Sequence, residues 1–146
     1  MAEFAAHQFP MRIYYEDTDA GGIVYYANYL RFAERARTEM LREAGVESSR
    51  LMADDGVALA VRRCGMDFIK PAVLDDRVIV ETTLTKIGGA SLEAVQIVRR
   101  DDEDLVKIDI KLGCMGLDGG AARIPSGVRD KLNDACAKTT TNGNQG

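Results

Sequence analysis

One amphipathic helix constrains the fold of this 146-residue chain more than any other feature. Over residues 28–44, apolar side chains recur at i, i+3, i+4, i+7 and i+11, the spacing of a single helical stripe. The stripe consists of Tyr29, Phe32, Ala33, Ala36 and Met40. Charged residues occupy the other faces, and Gly45 follows at the position that glycine favours after a helix. The fold must therefore supply an apolar surface that covers one side of a long helix.

Strand patterns on either side of the helix supply that surface. Residues 77–87 and 91–99 alternate between apolar and polar side chains, and Gly88-Gly89 between them is a hairpin signal. One set of alternating side chains comprises Val78, Val80, Thr82, Leu84, Leu92, Ala94, Gln96 and Val98. We also predict strands at 11–15 and at 105–117, and either one long strand or two with a bulge at 57–69. A short amphipathic helix is predicted at 127–137.

The order of these elements predicts an α+β fold. A strand, a long helix and about four further strands suggest an antiparallel sheet of about five strands that wraps the helix. Such a sheet keeps exposed edges, which proteins often pair across a two-fold axis, so a dimer is expected. We divide the chain into a leader at 1–9, a single domain at 10–137 and a disordered tail at 138–146.

Composition excludes several classes of function. A net charge of −4 without a basic cluster argues against nucleic-acid binding. No apolar run approaches the roughly 18 residues of a membrane span, and the N-terminus lacks a signal-peptide layout, so we predict a cytoplasmic protein. Three widely spaced cysteines and one histidine, His7 in an exposed-looking leader, argue against a disulfide framework, a metal site and a histidine-based triad. No cofactor is predicted.

The most distinctive local motif is YYEDTDAGGIVYYANY at 14–29, where Asp17 and Asp19 precede two glycines and the predicted helix. An EF-hand loop does not fit, because counting from Asp17 puts Gly21 in the third ligand position and Asn28 in the twelfth. The Ala-Gly-Gly sequence also lacks the patterns of phosphate-binding loops. Two interpretations remain open here: a capped glycine turn, or an acid that does chemistry beside a helix N-terminus.

The second interpretation would suit acyl transfer without histidine or serine. The first N–H groups of a helix lack partners within the helix and carry partial positive charge, so they can hold a developing oxyanion. Asp19 could face the same carbonyl carbon across the glycine turn, as nucleophile or as general base for a water molecule.

The segment DTDAGGIVYYANYLRFAERARTEML closely resembles the signature of the hotdog-fold acyl-CoA thioesterases of the 4-hydroxybenzoyl-CoA thioesterase type. The signature D-x-D-x-x-G-x-V-Y-x-x-x-Y is matched by Asp17, Asp19, Gly22, Val24, Tyr25 and Tyr29. The downstream ERARTEML at 34–41 is similar to the branch associated with the Tol-Pal envelope system of Gram-negative bacteria. The resemblance implies a hotdog fold and hydrolysis of an acyl-CoA thioester to free acid and CoA.

The resemblance also implies roles for individual residues. Asp19 matches the catalytic carboxylate, and Tyr26 falls where a backbone N–H polarises the thioester carbonyl. Many members of the Tol-Pal branch have histidine in place of Tyr26. The positions implied for substrate binding are Gly22, Tyr29, Val61, Arg63, Lys86, Gly88 and Ser91, with the last three at the CoA nucleotide. Arg62 and Arg63 could contact phosphates or form a solvated strand face.

Several partners and one alternative function follow from the resemblance. The substrate would be an acyl-CoA, in a homodimer or homotetramer whose sites are formed across a subunit interface. Acyl carrier protein and Tol-Pal components are candidate partners. The alternative is a non-catalytic acyl-binding or partner-binding protein of envelope or lipid metabolism. A hydratase on the same fold is disfavoured, because such enzymes usually work with a histidine.

Overall fold

The computed structural model describes the backbone of residues 6–145 and the side chains of residues 6–136. The regular elements are β1 (His7–Arg12), α1 (Asn28–Glu43), α2 (Ser48–Arg50), β2 (Val57–Phe68), β3 (Arg77–Ile87), β4 (Ser91–Arg100), β5 (Glu103–Gly116) and α3 (Ser126–Gln145). A 3-10 turn, Tyr15–Asp17, precedes α1, and a short π-helical segment, Leu51–Asp55, follows α2.

The five strands form one antiparallel sheet in the order β1-β3-β4-β5-β2. The predicted hairpin joins β3 to β4. Strand β2 is one continuous strand with a bulge, because its register with β5 shifts between Val61 and Arg63. Strands β1 and β2 are the two edges of the sheet. The predicted α+β class and five-stranded antiparallel sheet are therefore confirmed.

The first strand begins and ends earlier than predicted. β1 covers His7–Arg12 because its backbone pairs with β3 from His7 opposite Thr82 onward. Residues 7–9, which the sequence assigns to the leader, therefore pair with β3. The His7 side chain is 17% exposed, and its Nε2 lies 2.8 Å from Oε2 of Glu43. The strand stops before Tyr14, whose N–H donates to Oδ2 of Asp17 at 2.8 Å and so turns the chain away from the sheet.

The buried side of α1 packs on one face of the sheet. Near its start, Tyr29, Phe32, Ala33 and Ala36 join a core cluster that includes residues of β3, β4 and β5. Near its end, Leu41 rather than the predicted Met40 is fully buried, in a second cluster shared with α3. The helix thus runs along the sheet from one core cluster to the other.

The C-terminal helix is longer than the predicted 127–137. α3 covers Ser126–Gln145 in the backbone, and it buries Val128 and Leu132 against the second core cluster. Side chains beyond residue 136 are outside the described part of the chain, and the predicted tail at 138–146 falls there.

A buried polar network crosses the core between the two clusters. Arg37 is 8% exposed and donates from Nη1 to Oε1 of Gln96 at 3.0 Å. Gln96 in turn donates to the Ala33 carbonyl and to Oγ1 of Thr82, both at 2.9 Å. Burial lowers the pKa of the Arg37 guanidinium. The helix pattern placed Arg37 on the polar face, whereas the strand alternation placed Thr82 and Gln96 in line with the apolar residues that are buried.

A Gln96→Leu substitution is expected to destabilise the fold by about 3 kcal/mol, because it takes away the hydrogen-bond partner of the buried Arg37 guanidinium and of the buried Thr82 hydroxyl. The free energy of unfolding from urea titrations measures this loss. In an Arg37→Leu background the same substitution should cost clearly less, since the charge is already gone. A loss below about 1 kcal/mol in the single variant would contradict the network's importance.

Candidate active site

The loop between β1 and α1 is folded by Asp17. Its Oδ2 accepts the Tyr14 N–H, and its backbone carbonyl accepts the Tyr25 N–H at 3.1 Å and Nδ2 of Asn28 at 2.9 Å. Thr18 and Val24 form an antiparallel bridge just inside these contacts. Asp17 is therefore a structural residue that joins both arms of the loop to the start of the helix.

Asp19 lies at the tip of this loop with its side chain exposed. Its Oδ1 accepts the Gly21 N–H at 2.8 Å, and its backbone N–H donates to the Ile23 carbonyl at 2.9 Å. Gly22 has φ +80°, a conformation that suits glycine, and its N–H donates to the Asp19 carbonyl. Within residues 6–136, Oδ2 of Asp19 accepts no hydrogen bond, so the carboxylate is oriented through one oxygen and available through the other.

The start of α1 presents unpartnered donors beside this loop. The N–H groups of Asn28 and Tyr29 donate to the carbonyls of Tyr25 and Tyr26, at 2.8 and 3.3 Å. The N–H groups of Tyr26 and Ala27 donate to no acceptor in the described part of the chain. Such free N–H groups at a helix N-terminus can donate hydrogen bonds to a negatively charged oxygen atom and so stabilise it.

Aromatic rings form a wall next to these donors. The ring of Phe68, at the end of β2, lies 6.3 Å from that of Tyr26 and 6.0 Å from that of Tyr29, centroid to centroid. Tyr29 is buried, its hydroxyl accepts the Ala72 N–H at 3.0 Å, and burial raises its pKa. Phe68 is 54% exposed. Sequence reasoning missed Phe68, although an apolar residue at the end of an edge strand was a usable signal.

The other predicted substrate-binding residues lie at the opposite end of the protomer. Val61 pairs with Leu112 on β5, whereas Phe68 pairs with Val106, so about 20 Å of strand separates the two ends. Lys86, Gly88 and Ser91 lie at the β3–β4 hairpin, beyond the end that packs against the C-terminal part of α1. Arg63 pairs with Lys111, close to Val61. In a single protomer, Asp19, Gly22, Tyr26 and Tyr29 thus lie in the loop before α1 and in its first turn, far from the five residues Val61, Arg63, Lys86, Gly88 and Ser91.

Two other kinds of feature are absent from the described part of the chain. No cluster of three or more histidine, cysteine, aspartate or glutamate side chains in these residues could hold a metal ion. No described helix combines the length and apolar character that crossing a membrane requires.

The family model of the Thioesterase superfamily matches residues 21–107. The chain belongs to the Thioesterase superfamily. The predictions of a hotdog fold and of a thioester-hydrolysing enzyme are thereby confirmed.

Individual members of the Thioesterase superfamily support this placement. An acyl-CoA thioesterase YbgC from Haemophilus influenzae is 42% identical over 109 residues, which cover 75% of this chain and 80% of that protein. An acyl-CoA thioester hydrolase YbgC from Escherichia coli is 43% identical over 109 residues, 74% of this chain and 81% of that one. A crystal structure of a probable thioesterase from Bartonella henselae superposes with a TM-score of 0.80 at 31% identity, covering 83% of this chain and all of that one.

Proposed function

We propose that this protein is an acyl-CoA thioesterase in which Asp19 and the Tyr26 N–H act on the thioester carbonyl. The carbonyl oxygen accepts hydrogen bonds from the N–H groups of Tyr26 and Ala27, which stabilise the negative charge that develops there. The Asp19 carboxylate either attacks the carbonyl carbon or removes a proton from an attacking water molecule. The bond to sulfur then breaks, and CoA leaves as its thiolate. If Asp19 is the nucleophile, the acyl group remains on its carboxylate as an anhydride, and water hydrolyses that anhydride to the free acid and regenerates Asp19.

One observation carries the proposal: the N–H of Tyr26, at the start of a helix, has no acceptor in the described chain, and the loop that ends there also carries Asp19. A turn that served only to cap the helix would be expected to direct a side-chain oxygen at these donors. Here the Asp19 side chain bonds Gly21 instead, so both groups stay available. The relatives named as acyl-CoA thioesterases support the same substrate class.

We propose that the site is completed across a homodimer. Strand β2 is an edge strand, and much of it is exposed, including Val61 at 50%. If two β2 edges pair antiparallel around a two-fold axis, the Phe68 end of one protomer meets the Val61 end of the other. That arrangement would bring the five predicted substrate-binding residues of the distant end close to the partner's Asp19. These are Val61, Arg63, Lys86, Gly88 and Ser91. Three inferences from the sequence stay predictions. They are association into tetramers, binding of acyl carrier protein or Tol-Pal components, and a cytoplasmic location.

The experiment that tests the activity is CoA release, followed with a thiol-reactive dye, for short, long and aromatic acyl-CoAs. Turnover with one of these classes is the expected result and would define the acyl group. No turnover with any of them, together with specific retention of a partner protein, would support the alternative of a non-catalytic binding protein.

A Phe68→Ala substitution is expected to raise the relative efficiency toward bulkier acyl groups several-fold, because the ring that borders Tyr26 and Tyr29 is removed. The ratio of kcat/KM for long to short acyl-CoAs measures the change. The neighbouring Ile69, equally exposed, provides the control variant Ile69→Ala, whose ratio should stay close to that of the wild type. If the ratio of kcat/KM values is the same in both variants and in the wild type, Phe68 does not line the acyl-binding site.

A further inference from the structure

The loop that carries Asp19 pairs with a second loop, which joins β2 to β3. We call this second loop, residues 69–76, the support segment. Ile23 and Val73 form an antiparallel bridge between the two loops, and a backbone hydrogen bond flanks the bridge on each side. These bonds run from the Val24 N–H to the Ala72 carbonyl at 2.9 Å and from the Leu74 N–H to the Gly22 carbonyl at 3.3 Å. The support segment therefore fixes the arm of the loop that runs from Asp19 to α1.

One residue of the support segment bonds the chain on both sides of the proposed oxyanion donors. Ala72 is completely buried, its carbonyl accepts the Val24 N–H, and its N–H donates to the Tyr29 hydroxyl at 3.0 Å. Between these two bonded residues lie Tyr26 and Ala27. Their N–H groups are thus placed from two points on the Ala72 backbone, and a displacement of about 1 Å there would weaken their bonds to a substrate carbonyl.

Arg100 of β4 connects to both ends of the support segment. Its Nη1 donates to Oδ2 of Asp76 at 2.7 Å, and the same oxygen accepts the Val73 N–H at 2.9 Å. Its Nη2 donates to Oε1 of Glu103 at 3.4 Å, and Oε2 of Glu103 bonds Nζ of Lys70. The side chains of Arg100 and Asp76 are 25% and 16% exposed, so solvent screens this ion pair less than a fully exposed one.

The end of the support segment has a backbone conformation that depends on such contacts. Asp75 has φ +71°, in the left-handed region that residues other than glycine rarely adopt. Its N–H donates to the Ile13 carbonyl at 3.0 Å, and its carbonyl accepts Nη1 of Arg12 at 3.1 Å. Because such a conformation persists only where surrounding contacts hold it, we expect the segment to shift when the ion pair beside it is lost.

We propose that Arg100 is a positioning residue for thioester hydrolysis: through Asp76 it fixes the support segment, whose Ala72 backbone sets the oxyanion donors against the thioester carbonyl. This inference rests on the proposed function. The effect passes through backbone hydrogen bonds to groups that act in the transition state, so it should appear in kcat rather than in KM.

Arg100→Met removes the charge and the donors of this side chain but keeps an unbranched side chain. We expect kcat for acyl-CoA hydrolysis to fall about tenfold with KM within about twofold of wild type, because the oxyanion donors are displaced. Arg100→Lys keeps a cation for Asp76 and should recover part of this loss. The matched control is Arg99→Met, since Arg99 donates to Glu81 at 2.6 Å and to Asp104 at 2.7 Å but to no support-segment residue in the described chain. Its kcat should stay within about twofold of wild type.

Hydrogen exchange tests the same proposal without any substrate. In Arg100→Met, the amides of Val24 and Leu74, which link the two loops, should exchange about tenfold faster than in wild type. The amide of Ala94, which lies between β3 and β5, should exchange at an unchanged rate. In Arg99→Met all three amides should exchange as in wild type.

A double variant tests whether Arg100 acts through Asp76. Asp76→Ala should lower kcat at least as far as Arg100→Met does, because it removes the same ion pair and the acceptor of the Val73 N–H. Adding Arg100→Met to Asp76→Ala should cause no further loss.

Equal kcat in Arg100→Met and Arg99→Met, or unchanged exchange at Val24 and Leu74, would overturn the proposal. An equal rise in exchange at Ala94 would also overturn it, because the loss would then be one of global stability. Faster exchange confined to the two loops, in a protein that hydrolyses no thioester, would support the positioning by Arg100 and count against the proposed function alone.

Discussion

Asp19→Asn is expected to lower kcat for acyl-CoA hydrolysis by about 10²- to 10⁴-fold, the range for removal of a nucleophile or general base. The amide is nearly isosteric and its oxygen can still accept the Gly21 N–H, so the loop should keep its conformation. The variant loses the negative charge and the basicity of Asp19 Oδ2, the oxygen that accepts no hydrogen bond within residues 6–136. CoA release under saturating substrate measures kcat directly.

The same loop offers a matched control for this variant. Glu16 is an exposed acid three positions away, and no hydrogen bond involves its side chain in the described residues. Glu16→Gln removes one negative charge without touching the proposed chemistry and should retain activity within about twofold. If Asp19→Asn keeps activity to within a few-fold, or if both variants lose it equally, Asp19 is not the catalytic carboxylate.

Tyr26→Pro is expected to lower kcat by about 10²- to 10³-fold, the usual effect of removing one oxyanion donor. Proline has no N–H, and the Tyr26 N–H bonds no acceptor in the described chain, so the substitution breaks no hydrogen bond of the fold. Tyr26 also precedes α1, where proline is better tolerated than in a helix interior. The far-ultraviolet circular dichroism and the thermal midpoint should therefore change little.

Tyr26→Phe separates the backbone donor from the side chain. It keeps the N–H and the ring that borders Phe68, and it loses only the hydroxyl group. We expect its kcat to stay near that of the wild type, while KM for bulky acyl groups shifts modestly. A large loss in Tyr26→Phe would mean that the Tyr26 hydroxyl acts on the substrate. A small loss in a folded Tyr26→Pro would mean that the Tyr26 N–H is not an oxyanion donor.

Periodicity in the sequence predicted most of the fold. The helical stripe from Tyr29 to Ala36 is buried, and the alternating set from Val78 to Leu84 faces the core. Both patterns arise because one side of a helix or strand faces solvent and the other faces the core. They can therefore be recognised without knowing which element packs against that side. The acid and glycine motif was equally local: Gly22 adopts a positive φ, and Asp19 is oriented by its neighbour Gly21.

Contacts distant in sequence decided the rest. His7 belongs to β1 because it pairs with Thr82 of β3. Arg37, which the helix pattern placed on the surface, is buried with its guanidinium bonded to Gln96. The sequence by itself determined which elements form and how the loop of Asp19 and Gly22 turns, because those depend on neighbours a few residues away. Only the tertiary structure decided that Phe68 borders Tyr26 and that Arg62 lies on Gly113, because sheet register and the bulge set these contacts.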